Sequence, residues 1–80
     1  MFIEMTILYP FSNTCKKLLD CLDKQKQELI LIDSCIDFSI YNDTYSNKII
    51  HIIKWESKDA MKMSIDKKSY KKRIEEILNL

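Results

Sequence analysis

His51 is the only imidazole in the chain, and it stands four residues before the only indole, Trp55. The run around them is Lys48-Ile-Ile-His-Ile-Ile-Lys-Trp55-Glu-Ser-Lys-Asp-Ala-Met61, an aliphatic strand that ends in Trp-Glu-Ser and turns into a helix. Alternation along a strand puts residues 51 and 55 on one face. An imidazole with an ordinary pKa of about 6.5 can take a phenolic proton near neutrality. Trp55 can wall a pocket, stack on an aromatic substrate and offer its N–H. The same residues also admit a structural reading, as a hydrogen-bonded strand histidine and a core tryptophan closing the strand-to-helix turn.

The other candidates carry similar pairs of readings. Met61 can line a pocket adaptably or fill core. Ser64 can donate a hydrogen bond to a ligand oxygen or simply separate two helical pieces. Tyr41 shares a strand face with Cys35, Asp37 and Ser39, and that face is solvent, a subunit seam or a pocket. Tyr45 and Tyr70 are further phenolic donors, with Tyr70 expected to pack on Ile74.

Several chemistries are disfavoured. There is no glycine, so phosphate-cradling glycine loops are absent. The three cysteines, Cys15, Cys21 and Cys35, form no CxxC pair. A disulfide framework is not expected, and a reducing cytoplasm is the simplest setting. Cys15 and Cys21 lie six apart on an expected helix and face different ways, so no metal site is expected. The net charge of +1 gives no electrostatic reason for nucleic acid or an acidic membrane. Lys67, Lys68, Lys71, Lys72 and Arg73 precede Glu75 and Glu76, and at i,i+4 spacing they read as a solvated face with local ion pairs. No apolar run reaches membrane-span length, and the first ten residues lack the basic segment of a secretory signal.

The elements that would position these residues follow from periodicity. Phe2 to Tyr9 alternates, with Ile3, Met5, Ile7 and Tyr9 on one face and Glu4, Thr6 and Leu8 on the other. Pro10 ends that strand. Ser12 or Asn13 is the expected cap of a helix that turns Cys15, Leu18, Leu19, Leu22 and Leu29 inward. Cys35 to Tyr41 and Lys48 to Trp55 form a hairpin across a turn at 42–47. In its first strand, Cys35, Asp37, Ser39 and Tyr41 are expected opposite Ile36, Phe38 and Ile40. Ser57 or Asp59 opens a short helix, and Asp66 caps a last one carrying Tyr70, Ile74, Ile77 and Leu78. Residues 1–80 thus make one small α+β domain, β-α-β-β-α. This is the ferredoxin-like plan with its last strand missing or supplied by a partner.

The Trp55-Glu-Ser-Lys-Asp-Ala segment, after an aliphatic strand and before a helix, resembles the antibiotic biosynthesis monooxygenase superfamily of dimeric α+β barrels. The element order agrees over most of the chain. The resemblance implies a homodimer packed sheet against sheet, with a pocket between sheet and helices in each subunit. It implies a cofactor-free monooxygenase acting on an aromatic, quinol-like or polyketide-like substrate, with His51 as base and Trp55, Met61, Ser64 and Tyr41 as substrate-binding candidates. Members that oxidise aromatic polyketides carry a polar residue four positions before the Trp, here His51, and an aromatic hydroxyl six after it, here Met61. Quinol-type members place a His nine positions after it, here Ser64. The haem-ligating His of haem-degrading members falls near Ile74, which cannot ligate iron. The superfamily also holds many proteins without proven activity. The alternative is therefore a ligand- or partner-binding member that associates through its exposed first strand.

Overall fold

The aliphatic run from Lys48 to Trp55 becomes the central strand of a sheet in the computed structural model, which describes residues 1–80. The chain order is β1 (Phe2–Leu8), α1 (Cys15–Leu29), β2 (Cys35–Asp43), β3 (Lys48–Trp55), α2 (Lys58–Ser64) and α3 (Lys67–Leu78). Both pairings are antiparallel, in the order β1-β3-β2. This is the expected α+β, ferredoxin-like arrangement. The expected absence of a fourth strand within residues 1–80 holds, because α3 runs to Leu78. One edge of β1 is consequently unpaired.

Strand alternation separates the two faces cleanly. Ile49, His51, Ile53 and Trp55 are buried beneath the helices, while Lys48, Ile50, Ile52 and Lys54 lie on the outer face, half-buried. On β1, Phe2, Glu4, Thr6 and Leu8 turn toward the helices and Ile3, Met5 and Ile7 stand exposed. On β2 the expected division of faces needs one correction. A bulge between Cys35 and Asp37 shifts the register. One extra residue reverses the parity of everything on one side of it. Cys35 therefore joins Phe38 in the core instead of sharing the face of Asp37, Ser39 and Tyr41, and Ile36 is left exposed.

The β2–β3 hairpin turns without glycine. Asn47 takes the left-handed conformation at φ 52°, which asparagine tolerates better than most residues. The Asp43 carboxylate accepts from the backbone N–H of Tyr45 and of Ser46 and holds the turn. The strand runs through Asp43, a residue beyond the expected start of the turn.

Helix starts follow local chemistry. Ser57 accepts from Ala60 N–H at 3.0 Å, and Asp66 from Ser69 N–H at 2.7 Å. The α1 cap differs from expectation. Thr14 occupies it, and both its hydroxyl and its N–H donate to the Phe11 carbonyl. Ser12 and Asn13 are consumed in the turn that this carbonyl closes.

Two apolar clusters fill the space between sheet and helices. Cys35, Phe38, Ile53 and Trp55 pack with Leu29, Ile32, Met61 and Ile65. Leu18, Leu22 and Ile49 pack with Leu19 and Ile77. No helix is long and apolar enough to cross a membrane.

Candidate functional site

His51 lies on the buried face of the central strand, opposite Thr6 on β1 and Ile40 on β2. It is 2% exposed, and neither ring nitrogen has a hydrogen-bond partner. Its ring stacks on Phe38, with centroids 5.7 Å apart. An imidazole must keep at least one N–H, and leaving that donor and the other nitrogen unpaired in the interior costs about 1–3 kcal/mol each. Burial holds the His51 pKa below its ordinary value, the Arg73 guanidinium pushes it further down, and the Glu4 carboxylate partly opposes. The ring is therefore neutral at physiological pH, with one nitrogen lone pair left unpartnered.

Beside His51 is a buried polar group. The Glu4 carboxylate accepts from Trp55 Nε1–H at 3.3 Å and from Arg73 at 3.3 and 3.5 Å. The side chains of Arg73 and Glu4 are only 7% and 15% exposed. The Arg73 guanidinium lies 5.1 Å from the centre of the Tyr70 ring, a cation–π arrangement. The Arg73 carbonyl accepts from Gln25 Nε2 at 3.1 Å, which carries the network to α1.

His51, Glu4, Thr6, Met61, Tyr70 and Arg73 line a cleft of about 290 Å³ under the β1 edge, with Phe2 and Ile74 among its walls. Of the residues singled out from sequence, His51 and Met61 meet here. Trp55 is fully buried and does not line the cleft; it contributes by holding Glu4. Ser64 sits elsewhere. Its hydroxyl donates to the Ala60 carbonyl and pairs with Ser34 at 2.8 Å, and it lines a separate cavity of about 260 Å³ between α1 and α3. Tyr41 is on the outer face of the sheet, 54% exposed. Tyr70, expected to pack on Ile74, shares the cleft wall with it.

Sequence reading missed Glu4, Arg73 and Gln25. In its own segment Arg73 groups with the solvated lysine face, yet it is three residues after Tyr70 and four before Ile77, on the buried stripe of α3. Glu4 was placed on the face of Thr6 and Leu8. That an acid there needs a buried cation was the available signal. The expected Lys71–Glu75 pair forms at 3.9 Å, whereas Glu76 instead accepts from Gln25.

A three-stranded sheet under three helices, with a polar cleft at the β1 edge, defines a small α+β fold of ferredoxin-like type. The fold is similar to Rv0793 from Mycobacterium tuberculosis at a TM-score of 0.79 and 14% identity, covering 98% of this chain and 79% of that one. It is also similar to a conserved protein from Methanosarcina mazei Go1 at 0.78 and 10%, covering 96% and 76%. No protein-family sequence model matches the chain, and no curated protein matches it in sequence. At these identities the likeness shows the fold alone.

The Glu4–Arg73 pair makes a measurable demand. Arg73→Leu strands a buried carboxylate and is expected to cost about 2–4 kcal/mol in urea unfolding, whereas Glu4→Leu with Arg73→Leu costs less than Arg73→Leu alone. His51 adds a pH signature. Its folded pKa is depressed, so as pH falls the unfolded chain takes the proton first and the native state loses stability. The loss starts near the ordinary value of about 6.5 and levels off below the folded pKa. Thermal melts from about pH 7.5 to about pH 5 are expected to show a steeper fall for the wild type than for His51→Leu.

Proposed function

We propose that this chain is a small cofactor-independent monooxygenase-like protein of the antibiotic biosynthesis monooxygenase type, acting on an aromatic, quinol-like or polyketide-like substrate. One observation carries the reading: a buried, neutral histidine with both nitrogens unpartnered lines an open cleft beside a buried guanidinium. A phenolic hydroxyl entering the cleft gives its proton to His51. The phenolate that forms is favoured by the positive charge of Arg73, whose position Glu4 holds. The anion then passes an electron to O₂. In the net reaction one oxygen atom enters the substrate, and the other leaves as water with two substrate hydrogens. Met61 and Tyr70 supply the apolar and aromatic walls.

The protein acts as a homodimer in this reading. Ile3, Met5, Ile7 and Tyr41 are exposed on the outer sheet face beside Ile50 and Ile52. Asp37 and Lys54 stand opposite each other in the β2–β3 register at its margin. A contiguous apolar face marks an interaction surface, and a margin bearing both signs of charge suits packing against a second copy across a two-fold axis. A second reading rests on the unpaired edge of β1: a non-catalytic member that binds a partner by strand addition.

O₂ uptake with a dihydroxynaphthalene tests the first reading. The wild type is expected to accelerate uptake over buffer, and His51→Ala to lower that rate by at least about 100-fold with an unchanged circular dichroism spectrum. Equal rates remove His51 from the mechanism. No wild-type acceleration on any quinol favours the strand-addition reading. Sedimentation tests the dimer: Met5→Lys with Ile52→Lys is expected to yield a folded monomer, and a wild type that sediments as a monomer rules the dimer out.

A further inference from the structure

A second cleft adjoins the one at His51. It measures about 510 Å³ and is lined by Met61, Lys62, Ile65, Asp66, Lys67 and Tyr70. Met61 and Tyr70 line both, so the two clefts meet at these side chains. The charges along this path are unevenly spent. Arg73 is ion-paired with Glu4. The Asp66 carboxylate caps α3 through Ser69 N–H. Neither Lys62 nor Lys67 is in an ion pair, since the salt bridges of the chain are Lys71–Glu75 and Arg73–Glu4. Lys67 and Lys68 also occupy the first turn of α3, which holds no acid. Counting Asp66 against the two lysines, the second cleft carries one uncompensated positive charge.

We propose that the joined clefts take an amphipathic aromatic acid, with its ring against Met61 and Tyr70 beside His51 and its single anionic group between Lys62 and Lys67. This deepens the reading of the His51 cleft as a substrate site and rests on it. The clefts divide the labour by chemistry. The unpartnered imidazole meets a hydroxyl, the thioether and phenol ring meet the hydrocarbon body, and the lysines at the mouth select for charge. A neutral substrate of the same shape fills the apolar part and leaves the lysines unused. Charge at the mouth therefore separates ligands that the apolar wall cannot tell apart.

The test compares two fluorescent probes of nearly identical ring structure, anilinonaphthalene sulfonate, which is anionic, and phenylnaphthylamine, which is neutral. With the full chain in low salt, the sulfonate is expected to bind about tenfold more tightly, and added salt to erode that difference. Lys62→Gln with Lys67→Gln, both at exposed positions, is expected to bring the sulfonate down to the neutral probe and leave the neutral probe unchanged. Met61→Trp, which fills the shared wall, and Tyr70→Ala, which removes it at a half-exposed position, are each expected to weaken both probes. Equal binding of the two probes by the wild type overturns the proposal, as does a lysine double variant that binds the sulfonate as before. If those results come with loss of both probes in Met61→Trp or Tyr70→Ala, the cleft remains a ligand site and only its preference for acids falls. Binding unaffected by either wall variant places the probes elsewhere, such as the outer sheet face, and overturns both.

Discussion

The Glu4 carboxylate is the interaction on which the rest of the arrangement turns. It sits on the edge strand, beneath the helices, and its oxygens receive the Trp55 N–H from β3 and the Arg73 guanidinium from α3. A buried carboxylate is tolerated only where charge and hydrogen bonds meet it. Its partners are 51 and 69 residues away in the chain, so it brings the first strand to the last helix directly. From Arg73 the connection continues through its carbonyl to Gln25 on α1. Apolar packing alone would allow α3 to slide along the sheet. One Arg73 nitrogen, Nη2, reaches both Glu4 oxygens while the Trp55 N–H meets Oε2, and holding these charge-assisted contacts restricts that freedom.

Burial, with Arg73 of this network, keeps His51 neutral. The same guanidinium that satisfies Glu4 stands near enough to oppose a charge on the imidazole, and burial does the larger part. The central strand thus carries two aromatic heterocycles with opposite duties. The indole spends its only donor on Glu4, while the imidazole spends neither nitrogen. The residue that is fully engaged supports the fold, and the one that is not engaged faces the cleft.

Much of the architecture could be read from local pattern. The alternation in Phe2–Leu8 and Lys48–Trp55 separated the faces, Ser57 and Asp66 marked helix starts, and the hairpin followed from its turn residues. The bulge at Cys35/Asp37 was hidden, because an unpaired residue leaves no mark in composition. The site was less legible for a different reason. Glu4, Gln25 and Arg73 each look like surface residues in their own segments, and only the meeting of β1, α1 and α3 gives them a buried role. Tyr41 and Ser64 show the converse: both have suitable chemistry, but the fold carries one to the outer face and the other to a different cavity.

The free edge of β1 has a consequence for access. Phe2, Glu4, Met5 and Thr6 of that strand are themselves walls of the His51 cleft. A strand hydrogen-bonded along the edge would run beside the cleft mouth, and its side chains facing the helices would narrow the opening. Completion of the sheet and admission of a small molecule are therefore competing uses of one border. A strand there would alter the width of the opening with no change in the groups that line the cleft.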